Sequence, residues 1–214
     1  MNNLCTDIGY MSLNKWGEQL CGDRVEIVEQ GENSSVIVLA DGMGSGVKAN
    51  ILSSLTSKII STMMAANMKL EDCVSTIAAT LPVCAVRKVA YSTFTIIHII
   101  DNEEAEIIQY DNPLLILLRD GKFVEIPKVG NEIEGEDDLP LPHQAPGERF
   151  PLRHERRHHP RRGGAVPQLR LGAQGHHLLF GDDVRPQLHA KTFATLLVEE
   201  CNHLYGGTPV TTPP

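Results

Sequence analysis

With 214 residues and a mass of 23.5 kDa, the chain has room for one ordinary domain and can bury a core without disulfide or metal staples. A composition of 42% hydrophobic and 21% charged residues excludes wholesale disorder, and a formal net charge of −8 argues against a dedicated nucleic-acid binder. No apolar run approaches the ~20 residues of a membrane span, the polar start Met1-Asn2-Asn3 is not a signal peptide, and the cysteines form no Cys-x-x-Cys pair. The expectation is a cytoplasmic protein with reduced thiols.

The average conceals a split. Residues 1–138 carry 10 Lys+Arg against 21 Asp+Glu, whereas residues 139–214 carry 9 against 6. Seven of the nine histidines and eight of the eleven arginines fall between Pro140 and Ala190. No lysine lies between Lys128 and Lys191, and no isoleucine follows Ile133. So abrupt a change of residue vocabulary is foreign to one fold. The chain therefore reads as one domain over 1–214 in three pieces: 1–138, an aberrant 139–190, and 191–214.

In the first piece, Arg24–Val28 alternates polar and apolar residues and Gln30-Gly31-Glu32-Asn33 supplies a turn. Ser35–Ala40 is an apolar run of strand length. After Asp41-Gly42-Met43-Gly44-Ser45-Gly46 the period changes, and Val47, Ile51, Leu52, Leu55, Ile59, Ile60, Met63 and Met64 predict one apolar helix face. A second helix is expected over Leu70–Ala79. Strands follow at Tyr91–Ile100, Ala105–Tyr110 and Leu114–Leu118. Asp101-Asn102-Glu103 turns the first pair, and Asp120-Gly121 leads tightly into Phe123–Ile126. The order predicts an α+β layered domain rather than alternating parallel units.

The chemistry is expected at Asp41, a carboxylate at the end of a buried strand beside glycines that leave the backbone open to a ligand. The bland alternative is an Asp-Gly turn capping the next helix. The glycines fit neither the dinucleotide nor the Walker phosphate-loop spacing, and an acid before the loop would repel phosphate, so a metal site is the better reading. Such a site needs oxygen ligands from separate segments. Asp23 supplies one if the strand it precedes pairs with the strand of Asp41; alone, it reads as a solvated loop acid.

Gly22-Asp23 and Ala40-Asp41-Gly42-Met43-Gly44-Ser45-Gly46, with Tyr91-Ser92-Thr93-Phe94, Asp111-Asn112-Pro113-Leu114 and Leu118-Arg119-Asp120-Gly121-Lys122, carry a resemblance. The sequence resembles the PPM-type (protein phosphatase 2C-like) metal-dependent serine/threonine phosphatases, in the branch of the sporulation stage II protein E phosphatase. The match covers most of residues 10–130. It implies an α-β-β-α sandwich, two Mn²⁺ or Mg²⁺ ions, and a phosphoprotein substrate such as a signalling or sporulation regulator. It also implies metal-binding and catalytic roles for Asp23 and Asp41, with the Gly42 carbonyl contributing. In that family a water activated by two metals attacks phosphorus, so no nucleophilic side chain is needed. Cys21 then reads as a small buried filler.

The resemblance also requires later Ser-Asp-Gly and Gly-Asp-Asp motifs, and neither stands at its place. Instead, His154-Glu155-Arg156-Arg157-His158-His159 lies among prolines and arginines. His154-Glu155-x-x-His158 has the form of a zinc-hydrolase signature, but Pro151 and Pro160 bracket it and it has no apolar stripe. An anion- or nucleic-acid-binding basic segment is another reading.

A shifted reading frame explains more. Allowed codons for His154–Gly163, CAT GAG CGA CGG CAT CAT CCA CGC CGG G, give Met-Ser-Asp-Gly-Ile-Ile-His-Ala-Gly from the second base. Ala165–Gly172 can yield Gln-Cys-Leu-Asn-Phe-Gly-Trp in the same way, and Pro209–Pro214 can yield Gly-Asp-Asp-Thr-Thr. Three recoveries in the expected order, with the Arg/Pro/His enrichment, support a frame disruption.

Lys191–Tyr205 returns to ordinary protein. Phe193, Leu196, Leu197, Cys201 and Leu204 form an apolar face, with Gly206-Gly207 as the stop, giving a family-like helix over 191–207. Asp182-Asp183 precedes that helix and is not the family's terminal pair. The sequence thus predicts a phosphatase domain incomplete or disordered over 139–190 and impaired in turnover. The competing class is a non-catalytic pseudophosphatase or phosphoprotein-binding module.

Overall fold

The computed structural model of the chain describes residues 5–81, 92–110, 112–113, 115–119, 122–124, 148–151 and 189–204. β1 (Asp23–Gln30) and β2 (Ser34–Gly42) form an antiparallel hairpin turned at Gly31, whose φ of 74° only glycine adopts without strain. β3 (Ser92–Ile100) lies against β2, and β4 (Glu104–Tyr110) against β3. The turn between them has positive φ at Asp101 and Asn102, 51° and 53°, closed by the Glu103 amide donating to the Ile100 carbonyl at 2.9 Å. Such a turn matches the twist of the strands it joins.

β5 (Leu117–Arg119) and β6 (Lys122–Val124) form a separate two-stranded ladder, starting later in the sequence than the expected strand at Leu114. The turn at Asp120-Gly121 lies outside the described residues. A further strand, β7 (Glu148–Pro151), completes a five-stranded antiparallel sheet of order β1-β2-β3-β4-β7. This corrects the expectation of disorder over 139–190 for those four residues. Glu148–Pro151 pairs with Glu104–Ile107 on the free edge of β4, whose unpaired backbone groups template an added strand. The rest of 139–190, with His154, Glu155 and His158, lies outside the described residues.

Two helices cover one face of the sheet. α1 (Gly46–Ala65) packs across β1 and β2 and reaches β3, with α2 (Leu70–Thr80) beside it. Val36, Val38, Ala40, Phe94, Ile96, Ile108 and Tyr110 from the strands meet Ile60, Met64, Leu70, Cys73, Val74, Ile77 and Leu81 in one core. Phe94 and Tyr110 stack within it, ring centroids 5.2 Å apart.

The inner face of α1 matches the expected one in the second half of the helix, where Ile60 and Met64 are buried and Ile59 and Met63 half-buried, but not in the first half. Val47, Ile51 and Leu55 are 63%, 59% and 46% exposed, whereas Gly46, Ala49, Ser53, Thr56, Ser57, Ile60, Ser61 and Met64 face inward. Small residues let the helix lie close on the sheet. The buried hydroxyls cost little, because each donates to a carbonyl three or four residues back: Ser53 to Asn50, Thr56 to Leu52, Ser57 to Ser54 and Ser61 to Lys58.

The opposite face buries a smaller cluster of Ile37, Ile97, Ile99 and Leu115, against which Ile8, Val25 and Ile107 pack. α3 (Ala190–Leu204) lies against the N-terminal segment, with Thr195 beside Met11 and Gly9 beside the Ala190–Lys191 backbone, rather than on the sheet. Asp7 accepts from the Ala190 amide at 2.8 Å, capping the helix across 183 residues of sequence. Phe193, Leu197 and Cys201 are half-buried, and Leu196 is exposed, as only part of the expected apolar face finds cover. Gly206-Gly207 lies outside the described residues. The described architecture is α+β: a five-stranded antiparallel sheet with a helical layer on one face, and a separate two-stranded sheet.

Candidate active site

The β1–β2 register brings the two predicted acids together. Asp23 stands directly opposite Asp41, and Asp41 in turn opposite Thr93 on β3. Strand alternation places all three on the face of Ile37 and Ile97, away from the helices. Each strand runs further than its apolar pattern, so both acids lie inside the sheet rather than in flanking loops. Asp23 is therefore a strand residue rather than a loop acid, though it remains exposed to water. The helix-cap reading of Asp41 is removed, because the N-cap of α1 is Ser45.

The two carboxyls interact strongly. Asp41 is pushed up to about 7, first by burial, then by the negative charge and hydrogen bond of Asp23. Asp23 is also raised by partial removal from water, opposed by hydrogen bonds from Asp41 and Cys21. The pair therefore keeps one proton as pH rises towards about 7 and loses it above that. Cys21, expected as a buried filler, is half-buried and takes part. Its Sγ lies 3.9 Å from Asp23 Oδ2, accepts from the Asp23 amide at 3.4 Å and donates to the Leu13 carbonyl at 3.4 Å. Burial raises its thiol, and the Asp23 and Asp41 charges add to the effect, so it stays neutral.

The glycine loop behaves differently from expectation. The space beside the Gly42 α-carbon is filled by the backbone of Ala49 on α1, so a β-carbon there would collide with the helix. Gly42 serves helix–sheet contact on that side rather than ligand access. Its amide donates to the Gly22 carbonyl at 3.1 Å, linking the backbones next to Asp41 and Asp23.

A polar network, not anticipated from the sequence, continues from Thr93. Its Oγ1 donates to Asn112 Oδ1 at 2.8 Å, and Asn112 Nδ2 donates to Thr95 Oγ1 at 3.0 Å. Ser92 Oγ donates to the Asp41 carbonyl at 3.0 Å and fixes the backbone there. The available signals were the clustering of short polar residues in Ser92-Thr93-x-Thr95 and the place of Thr93 and Asn112 in two of the motifs that carry the resemblance.

Two carboxylates and a nearby carbonyl are hard oxygen donors of the kind Mg²⁺ and Mn²⁺ take. Among the described residues these three donors make up only part of a divalent ion's shell. Among the described residues, no group of three or more His, Cys, Asp and Glu side chains is placed to hold a metal ion.

Among solved structures, the chain is similar to the PP2C phosphatase domain and regulatory-domain fragment of SpoIIE from Bacillus subtilis, at 20% identity and a TM-score of 0.49 over 67% of this chain and 40% of that one. The SpoIIE phosphatase domain in a crystal form without domain swapping, from the same organism, gives 17% identity and a TM-score of 0.49 over 91% of this chain and 83% of that one. RsbX in complex with magnesium gives 21% identity and a TM-score of 0.44 over 64% and 65%. The chain thus spans less than half the length of the first of these. A comparison with curated protein sequences gives no match. The family model for stage II sporulation protein E (SpoIIE) matches residues 31–142, from the first hairpin turn to the point where the residue vocabulary changes. That span is more than half of the 214 residues and carries Asp41, and by it the chain belongs to the SpoIIE family of PPM-type protein phosphatases.

Proposed function

We propose that this chain is a single phosphatase-like domain whose ancestral reaction is hydrolysis of phosphoserine or phosphothreonine on a regulatory protein, and that the polypeptide as written is impaired in it. The observation that carries this reading is the Asp23–Asp41 pair, meeting across β1 and β2 in a SpoIIE-family chain. Asp23, Asp41 and the Gly42 carbonyl would hold Mn²⁺ or Mg²⁺. When bound, such ions supply Lewis acidity and acidify the water that attacks phosphorus in line. The solved structure of RsbX, a similar fold, is a magnesium complex.

The residues themselves account for the impairment. Two facing acids that share a proton repel a phosphate dianion unless a cation lies between them, and three oxygen donors hold a hard cation weakly. The further acids of the family site are absent from their places because, in this reading, the coding frame is displaced over 139–190 and again at the end. The end of the family match at residue 142 supports that placement. The small donor set also favours a second reading, a non-catalytic module that binds a phosphoprotein without hydrolysing it. No helix among the described residues is long and apolar enough to cross a membrane. The four described cysteines are free thiols, which suits a cytoplasmic setting.

Turnover of p-nitrophenyl phosphate and of a phosphoserine protein with Mn²⁺ tests the reading. Little or no turnover is expected, and brisk turnover abolished by Asp41→Asn would overturn the impairment. Sequencing the DNA across codons 134–214 tests its cause: codons that give Ser-Asp-Gly and Gly-Asp-Asp when shifted support it, and codons that cannot give them refute it.

A further inference from the structure

Glu18 lies in a segment whose other residues from Met11 to Leu20 are exposed, yet it is itself half-buried. Its Oε1 accepts a hydrogen bond from Ser45 Oγ at 2.9 Å, and its Oε2 fills the space that a β-carbon on Gly46 would need. Ser45 is the N-cap of α1, but its hydroxyl makes no bond to the helix's own first turn. Nor does α1 carry an acidic residue in that turn. A carboxylate from 27 positions upstream stands at the site where a capping acid is most favourable. Gly46, with φ of 65°, leaves room for it.

Two more bonds run in parallel. Asn50 Nδ2, on the first turns of α1, donates to the Cys21 carbonyl at 2.9 Å, and the Gly42 amide donates to the Gly22 carbonyl at 3.1 Å. Residues 18, 21 and 22 are thus each tied to the loop and helix that follow Asp41, while Asp23 comes next in the chain. The spacing of the two acids depends on these ties as well as on the strand ladder.

We propose that Glu18 is a positioning residue: it caps α1 from outside the helix and holds the loop after Asp41 against the segment that delivers Asp23. The proposal deepens the metal-site reading and rests on it only for its metal readout. It also accounts for the glycine loop not acting as a phosphate cradle, since the helix end it leads to is already occupied by a carboxylate.

Trp16, two residues from Glu18 and the single tryptophan of the chain, reports the mobility of this segment, and circular dichroism of the same samples separates local release from a general loss of stability. The test compares wild type, Glu18→Ala, Glu18→Gln and Ser45→Ala by Trp16 fluorescence anisotropy, Mn²⁺ titration followed by electron paramagnetic resonance, and far-ultraviolet circular dichroism. Glu18→Ala is expected to lower the anisotropy and weaken Mn²⁺ binding about tenfold, as for loss of a group supporting a ligand. Glu18→Gln, whose amide oxygen still accepts from Ser45, is expected to restore most of both. Wild-type anisotropy and affinity in a folded Glu18→Ala protein would overturn the proposal. If that variant does not fold, Ser45→Ala decides: a smaller drop in the same direction supports the proposal, and no change refutes it. If wild type takes no Mn²⁺, the metal-site reading fails, and anisotropy alone decides on Glu18 by the same two outcomes.

Discussion

The two faces of the five-stranded sheet divide the work of the molecule. On the helix side, fourteen buried residues from three strands, two helices and Leu81 at the end of α2 form one continuous core. On the other side four buried residues form a small cluster, and the end of that face carries Asp23, Asp41, Thr93, Thr95 and Asn112. Stability resides on the first face, and the proposed chemistry on the second. A reactive acid pair in a low-dielectric, fully packed core would be costly, whereas at the thinly covered end of a strand pair it is both rigid and accessible.

The largest effects should come from the helix side. Phe94→Ala removes a fully buried ring stacked on Tyr110 and is expected to cost about 3–5 kcal/mol by chemical denaturation. Ile60→Ala should cost about 2–5 kcal/mol, whereas Ile51→Ala on the same helix should stay within about 0.5 kcal/mol. Equal costs at residues 51 and 60 would mean that α1 is rotated from the orientation described.

Next in size is the acid pair. Asp41 has an ordinary value of 3.8 and about 7 in the folded protein, so between these the folded state holds a proton that the unfolded chain has released. Without metal, its contribution to stability is fully present below pH 3.8, falls as pH rises through the window, and is gone above about 7. Asp41→Asn should therefore stabilise the metal-free protein at pH 8, by about 1 kcal/mol after allowing for solvent screening. A variant less stable than wild type at pH 8 would contradict the pairing. The smallest effect concerns α3: Asp7→Ala should destabilise its docking by about 1 kcal/mol, read as faster amide exchange in residues 190–194 with the sheet unchanged.

How far these features could be read in advance follows the same division. The strands and hairpins were legible because alternation and turn residues are local signals. Asp23 and Asp41 were legible because pairing two adjacent strands fixes their partnership. The buried face of α1 was legible in its second half, at Ile60 and Met64, but not in its first. A hydrophobicity pattern selects Val47, Ile51 and Leu55, while close approach to a sheet selects Ala49, Ser53 and Ser57, which are small and satisfy their own hydroxyls. Glu18 was illegible for another reason. Its partner Ser45 is 27 residues away and no spacing rule connects them. β7 was hidden because its pairing is set by the open edge of β4 more than by Glu148–Pro151 itself.

The central claim is that the second face keeps part of a metal-dependent phosphatase site. Direct titration with Mn²⁺ at neutral pH, counting bound ions in wild type and in Asp41→Asn, tests it most directly. The account predicts one weakly held ion in wild type and none in the variant. Two tightly held ions, no binding at all, or binding that survives Asp41→Asn would each contradict it.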